Sequence, residues 1–182
     1  HAIGKYNWPD LDSKYYSITG KHSYEDAKEQ LDTIVIGLRP IGIYPPNDYG
    51  TIQYLLDLFR RYIRYEHDMN NVFRAPPETL GMRSGDCDDW SILASAAFAD
   101  AGIPSAIVFV KSLDGTKAHA MVLVQSSENL PFCNYSDLTG FGLPSGRWYI
   151  VEPQYTLGDH LQNPHYCEEW RITAVVLVKS PY

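Results

Sequence analysis

From Thr51 onward, apolar residues recur with a helical period. Ile52, Leu55, Leu56, Phe59, Tyr62 and Ile63 stand three or four positions apart, while Asp57, Arg60, Arg61 and Arg64 take other faces. The spacing predicts an amphipathic helix over 51–66. Before it, residues 1–22 read as an irregular lead-in, Ser23 can cap a short helix to about Asp32, and an apolar Ile34-Val35-Ile36 run leads into a Pro/Gly-rich loop. Residues 68–83 read as a loop, because Ala75-Pro76-Pro77-Glu78 cannot continue a helix. A second helix is predicted from Cys87 to Ala101, with Trp90, Leu93, Ala96, Ala97 and Ala101 along one side. Gly102 is placed to end it, and Pro104 follows.

Beyond Pro104 the period changes to that of strands. Residues 106–110, 118–124, 147–152 and 171–179 read as strands, separated by a Leu113-Asp114-Gly115-Thr116 turn, a Ser/Pro/Gly-rich excursion over 125–146 and a polar loop after Pro153. Helices first and strands later predict an α+β domain with a mainly antiparallel sheet. There is no internal repeat, and 182 residues suffice for one domain with a real core.

Composition narrows the function classes. The net charge of −7 and the lack of a basic run argue against nucleic acid as a partner. No apolar run reaches the length of a membrane span. A chain that starts at His1 rather than Met reads as a processed product or an excised domain. With three cysteines, Cys133 and Cys167 are the natural pair because Cys87 sits in a motif; such a bridge implies an oxidising, extracytoplasmic setting. The 14 tyrosines, many before position 67, are explained by packing or by a substrate groove.

The chemistry centres on Arg83-Ser84-Gly85-Asp86-Cys87-Asp88-Asp89-Trp90-Ser91. A cysteine in the first turn of a helix meets unpaired backbone N–H groups, which favour a thiolate and can stabilise an oxyanion. Strand alternation puts His119 on one face with Met121 and Leu123, and Glu152 on one face with Trp148 and Ile150. If those strands are neighbours and the Cys87 helix packs on that face, sulfur, imidazole and carboxylate converge. His119 would then take the thiol proton and Glu152 would orient the ring. Asn47, Tyr49 and Gln53 are candidates for a second oxyanion donor. Asp86, Asp88 and Asp89 suit plain capping of a helix N-terminus or, with a hard cation to offset their charge, a calcium site.

Four blocks carry a family resemblance: Gly85-Asp86-Cys87-Asp88-Asp89-Trp90, Ala101-Gly102-Ile103-Pro104, His119-Ala120 and Trp148-Tyr149-Ile150-Val151-Glu152-Pro153. In this order they resemble the transglutaminase-like core, and within it the bacterial and archaeal transglutaminase-like cysteine proteinases. The resemblance covers about residues 52–155 and includes Pro77-Glu78-Thr79-Leu80. It implies a papain-like α+β fold, with N-terminal helices on a mainly antiparallel sheet, as a single domain over 1–182. The lead-in would span 1–50 and the last strand 171–179. By position it implies Cys87 as nucleophile, His119 as general base and acid, and Glu152 where the family usually has Asp, one methylene shorter. Met121 stands where many members carry Trp. Some proteinases of this kind hold calcium beside the cysteine, which implies Asp86 and Asp88 here; the chemistry itself requires no cofactor.

The resulting expectation is a cysteine peptidase or amidase that hydrolyses a peptide or isopeptide bond of a protein or peptide substrate through an acyl-enzyme on Cys87. The alternatives are protein-glutamine acyl transfer to an amine, and a non-catalytic binding or scaffold module.

Overall fold

The structure, a computed structural model, describes residues 45–67, 74 and 76–178. The elements expected before residue 45 lie outside them. Helix α1 (Asp48–Tyr62) starts three residues earlier than its apolar period suggests, because the Asn47 side chain caps it by accepting from the Gly50 N–H. It also ends earlier. Arg64–Tyr65 leaves the helix as β1 and pairs in parallel with β2 (Ser84–Gly85), in the register Tyr65↔Gly85. Between them lies α2 (Pro76–Met82), where the sequence reads as loop. Proline cannot sit inside a helix, but it opens one readily, since the first N–H groups have no helical partner anyway.

Helix α3 (Cys87–Asp100) is the centre of the domain. Its predicted one-sided burial is too modest: every residue from Trp90 to Ala99 is buried. The alanines let neighbours approach on all sides, with β3 (Ser105–Ser112) and β4 (Ala118–Gln125) across one face and α1 and α2 across others. Gly102 ends the helix with φ 87°, a left-handed conformation that glycine adopts freely.

The sheet has five strands in the order β5-β6-β4-β3-β7, formed by Asn134–Tyr135, Trp148–Val151, Ala118–Gln125, Ser105–Ser112 and Trp170–Val178. All its pairings are antiparallel, as expected. Its two faces bury different clusters. Ile107, Val122, Val124, Tyr149 and Val151 join the α1 and α3 residues. Ala106, Val108, Val110, Met121, Leu123, Trp148 and Ile150 pack with Leu138, Leu143, Tyr166 and Cys167. Met121 is therefore core, with no exposed surface, and lines no open groove. After β6 come a helix that the sequence reads as polar loop, α4 (Leu157–Gln162), and a 3-10 turn over Tyr166–Glu169.

Cys133 and Cys167 form a disulfide that ties the strand-poor excursion to the 3-10 turn, leaving Cys87 as the free cysteine. Thiol titration of the denatured, unreduced protein should therefore find one thiol per chain, and three only after reduction. Three without reductant would remove the bridge.

Candidate active site

The loop before α3 is shaped by its own carboxylates. Asp86 is the N-cap, and its Oδ1 accepts from the backbone N–H groups of Asp88 (3.1 Å) and Asp89 (3.3 Å). Asp89 returns the bond, with Oδ2 accepting from the Asp86 N–H at 3.1 Å, so the two residues cap each other. The fold-back carries the Asp89 side chain across Gly85, where an added Cβ would lie 2.6 Å from the Asp89 Cβ. That crowding is why glycine precedes Asp86. Asp89 is wholly buried and also accepts from the Arg74 N–H at 2.8 Å, with the Arg74 guanidinium 3.5 Å away. Burial raises its pKa to about 7, against the hydrogen bonds from Arg74 and Asp86 that pull it down.

Cys87 is thus the first residue of a rigidly capped helix, half-buried, with a backbone N–H that the helix does not use. Asp88 Oδ1 lies 3.9 Å from its sulfur. His119 is the second residue of β4, and Glu152 directly follows β6. The pairing Val122↔Val151 brings these strand ends together, and His119 Nε2 bonds Glu152 Oε2. Cys87 acts on the same ring and helps to raise its pKa. The three expected side chains do meet, but not as the alternation suggests. Helix α3 packs on the face of Val122, Val124 and Val151, opposite to that of Met121 and Ile150. The meeting point is at element ends: the start of α3, the start of β4 and the end of β6.

Burial disfavours a charged His119, yet its hydrogen bonds to Cys87 and Glu152 outweigh that and raise its pKa to about 10. Trp170, at the start of β7, packs against the ring with centroids 5.4 Å apart, close enough to favour its cationic form. Glu152 is almost fully buried, and its carboxylate accepts from the Gln154 N–H (3.2 Å) and the Tyr166 hydroxyl (3.4 Å). Tyr166 keeps its proton, since burial and then the Glu152 charge both raise its pKa. The extra methylene of Glu over Asp is accommodated by this cradle.

Three of these groups were not singled out from sequence: Tyr65, Tyr166 and Trp170. Tyr65 is 48% exposed and pairs with Gly85, two residues before Cys87. Burial and then the charges of Cys87, Asp86, Asp88 and Glu152 raise its pKa. The expected oxyanion donors lie elsewhere. Asn47 caps α1, and the N–H groups of Asp48 and Tyr49 bind the Glu128 carboxylate (2.6 and 3.1 Å), close to where Tyr149 also bonds Glu128. That is the opposite end of β4 and β6 from His119 and Glu152, and Gln53 lies in the first turns of the same helix.

Residues 42–153, more than half of the chain, match the sequence profile of the transglutaminase-like superfamily. The chain belongs to that superfamily. Among solved structures, a TGase aligns with a TM-score of 0.52 at 14% identity, over 80% of this chain and 37% of that one. The chain thus spans just over a third of that protein's length, and the likeness shows a shared fold. LapG from Legionella pneumophila aligns at 18% identity over 64% of this chain and 67% of its own, with a TM-score of 0.39. Its EGTA-treated form aligns at 14% identity over 93% and 87%, with a TM-score of 0.46. No curated protein matches.

The superfamily resemblance also implied calcium at Asp86 and Asp88. Asp86 Oδ1 is already shared by two backbone donors, and among the described residues no group of three or more His, Cys, Asp or Glu side chains could hold a metal ion.

Two measurements follow from this geometry. Gly85→Ala should lower stability by about 1–3 kcal/mol by pushing Asp89 off its cap, whereas Gly81→Ala, with open space around it, should not; equal effects would contradict the crowding. Because the His119 pKa is raised from 6.5 to about 10, the stabilisation it gains is complete below about pH 6.5 and lost as pH rises through about 10. The melting-temperature gap between wild type and Glu152→Gln should therefore shrink over that window; a constant gap would contradict the pair.

Proposed function

We propose that this domain is a thiol hydrolase, a cysteine peptidase or amidase acting on a protein or peptide through an acyl-enzyme on Cys87. The observation that carries the reading is the division of labour on one imidazole. Nε2 of His119 is committed to Glu152, so the ring has one nitrogen, Nδ1, left to serve Cys87 at the mouth of α3.

With the proton already held on His119, the sulfur attacks the substrate carbonyl, forming a C–S bond and an oxyanion. The Cys87 N–H donates to that oxygen, and Tyr65, half exposed and paired with Gly85 two residues before Cys87, supplies a side-chain donor. As the oxyanion collapses, the C–N bond breaks and His119 passes its proton to the leaving amine. Water then attacks the thioester with His119 taking its proton, the C–S bond breaks to release the acid, and the starting Cys87–His119 pair is restored. Glu152 holds the ring.

Water is favoured as acyl acceptor because the mouth is open: Cys87 is half-buried, the His119 side chain is 17% exposed and Tyr65 is about half exposed. Transfer to an amine uses the same acyl-enzyme and is separated by an amine-incorporation assay run beside a hydrolysis assay. No step runs through calcium, so EGTA should leave the acylation rate unchanged; a loss reversed by calcium would add a metal to the account. The Cys133–Cys167 bridge supports an extracytoplasmic location. No helix among the described residues is long and apolar enough to cross a membrane.

Screening peptide and isopeptide libraries should reveal turnover that Cys87→Ala abolishes while the fold is retained. Tyr65→Phe should lower kcat about tenfold with little change in KM. Turnover retained by the Cys87→Ala variant would overturn the reading.

A further inference from the structure

His160 is buried, titratable and unused by the reaction proposed above. It lies in α4, which Thr156 and Asp159 cap reciprocally: the Thr156 hydroxyl accepts from the Asp159 N–H (3.0 Å), and Asp159 Oδ2 accepts from the Thr156 N–H (2.8 Å). The capped turn brings the imidazole back towards β6. Its Nδ1 is 2.7 Å from the Thr156 carbonyl oxygen, and its Nε2 is 3.0 Å from the backbone nitrogen of Glu152. A carbonyl only accepts and an amide N–H only donates. The ring must therefore be neutral, with the proton on Nδ1 and the lone pair of Nε2 on the Glu152 amide.

The surroundings agree with this tautomer. His160 is 6% exposed, with Phe132 edge-on at 4.8 Å and Tyr155 at 5.5 Å between centroids. Burial lowers its pKa, against the Thr156 bond and the charges of Glu152 and Asp159, which raise it. The ring is an apolar plug that presents one acceptor, and that acceptor meets the backbone of the residue whose carboxylate holds His119.

We propose that His160 is a positioning residue. Its Nε2 anchors the Glu152 backbone just where β6 ends and the chain turns, which fixes the Glu152 carboxylate against His119 Nε2 and so aligns the Cys87–His119 couple. Past Val151 the amide of Glu152 has no ladder partner, so without His160 it would be a buried donor left unpaired. The Gln154 and Tyr166 contacts steady the carboxylate itself; His160 steadies the main chain from which it projects.

The inference rests on the hydrolase reading for its catalytic meaning, but one readout is independent of any substrate. That readout is the rate at which iodoacetamide alkylates Cys87 in the folded protein at about pH 6, which depends on the alignment of His119 with the sulfur. Two polar variants of similar size divide the contacts. His160→Gln can place its amide oxygen near the Nε2 position and accept from Glu152. His160→Asn reaches only the Nδ1 position and keeps the donor to Thr156. The Gln variant should alkylate within about threefold of wild type, and the Asn variant about tenfold slower. Once a substrate is in hand, kcat should follow the same order with KM unchanged. If Asn and Gln variants alkylate equally, at the wild-type rate or both slowly, the proposal is overturned, since plugging the core does not distinguish them. A Gln variant that misfolds overturns it as well. If wild type alkylates rapidly yet hydrolyses nothing, the hydrolase reading fails while the positioning result still stands or falls on the two rates.

Discussion

The site depends on a histidine pinned through one ring nitrogen by a buried carboxylate. Glu152, buried and supplied with hydrogen bonds, would be costly to leave as a lone charge in the interior; His119 neutralises it. That commits Nε2 and fixes the plane of the ring. The cost of burying the carboxylate thus becomes the force that orients the imidazole. Trp170 on the ring and Tyr166 on the carboxylate extend the same arrangement to the start of β7, and the Cys133–Cys167 bridge tethers the turn that carries them.

A second constraint fixes the sulfur. The reciprocal Asp86–Asp89 cap pins the first turn of α3, and the burial of that helix on all sides leaves it no freedom to shift. One side of the site is built locally, from residues 85–89. The other is built from strand ends paired in register, supported behind by α4. Cys87 and His119 are thus held by separate parts of the fold, and α1 closes the core at the far end with Glu128 on its N-terminus.

Much of this was legible in the sequence. The period of α1, the alanine-rich α3 with Gly102 beyond it, and the four strong strands are strong local signals, and Cys87, His119 and Glu152 stand in blocks that resemble one family. What was hidden had physical reasons. Helix α2 was masked by Pro76-Pro77, read as breakers although proline also starts helices. Helix α4 is too short for a period, though Thr156 and Asp159 are a capping pair that points to it. Strands β1 and β2 have two residues each, and only their pairing defines them; Tyr65 stayed among many tyrosines for that reason. Alternation put His119 and Glu152 on one face correctly, but it could not say that α3 covers the other. His160 offered no signal, because an imidazole whose partner is a backbone amide has no fixed sequence spacing.

The central claim is that Cys87 and Glu152 together hold a proton on His119. It is tested most directly by following the imidazole nitrogens of His119 by NMR across a pH titration of the wild-type protein. The account predicts a ring that stays doubly protonated through neutral pH and titrates near pH 10. A midpoint near the ordinary 6.5 would contradict it.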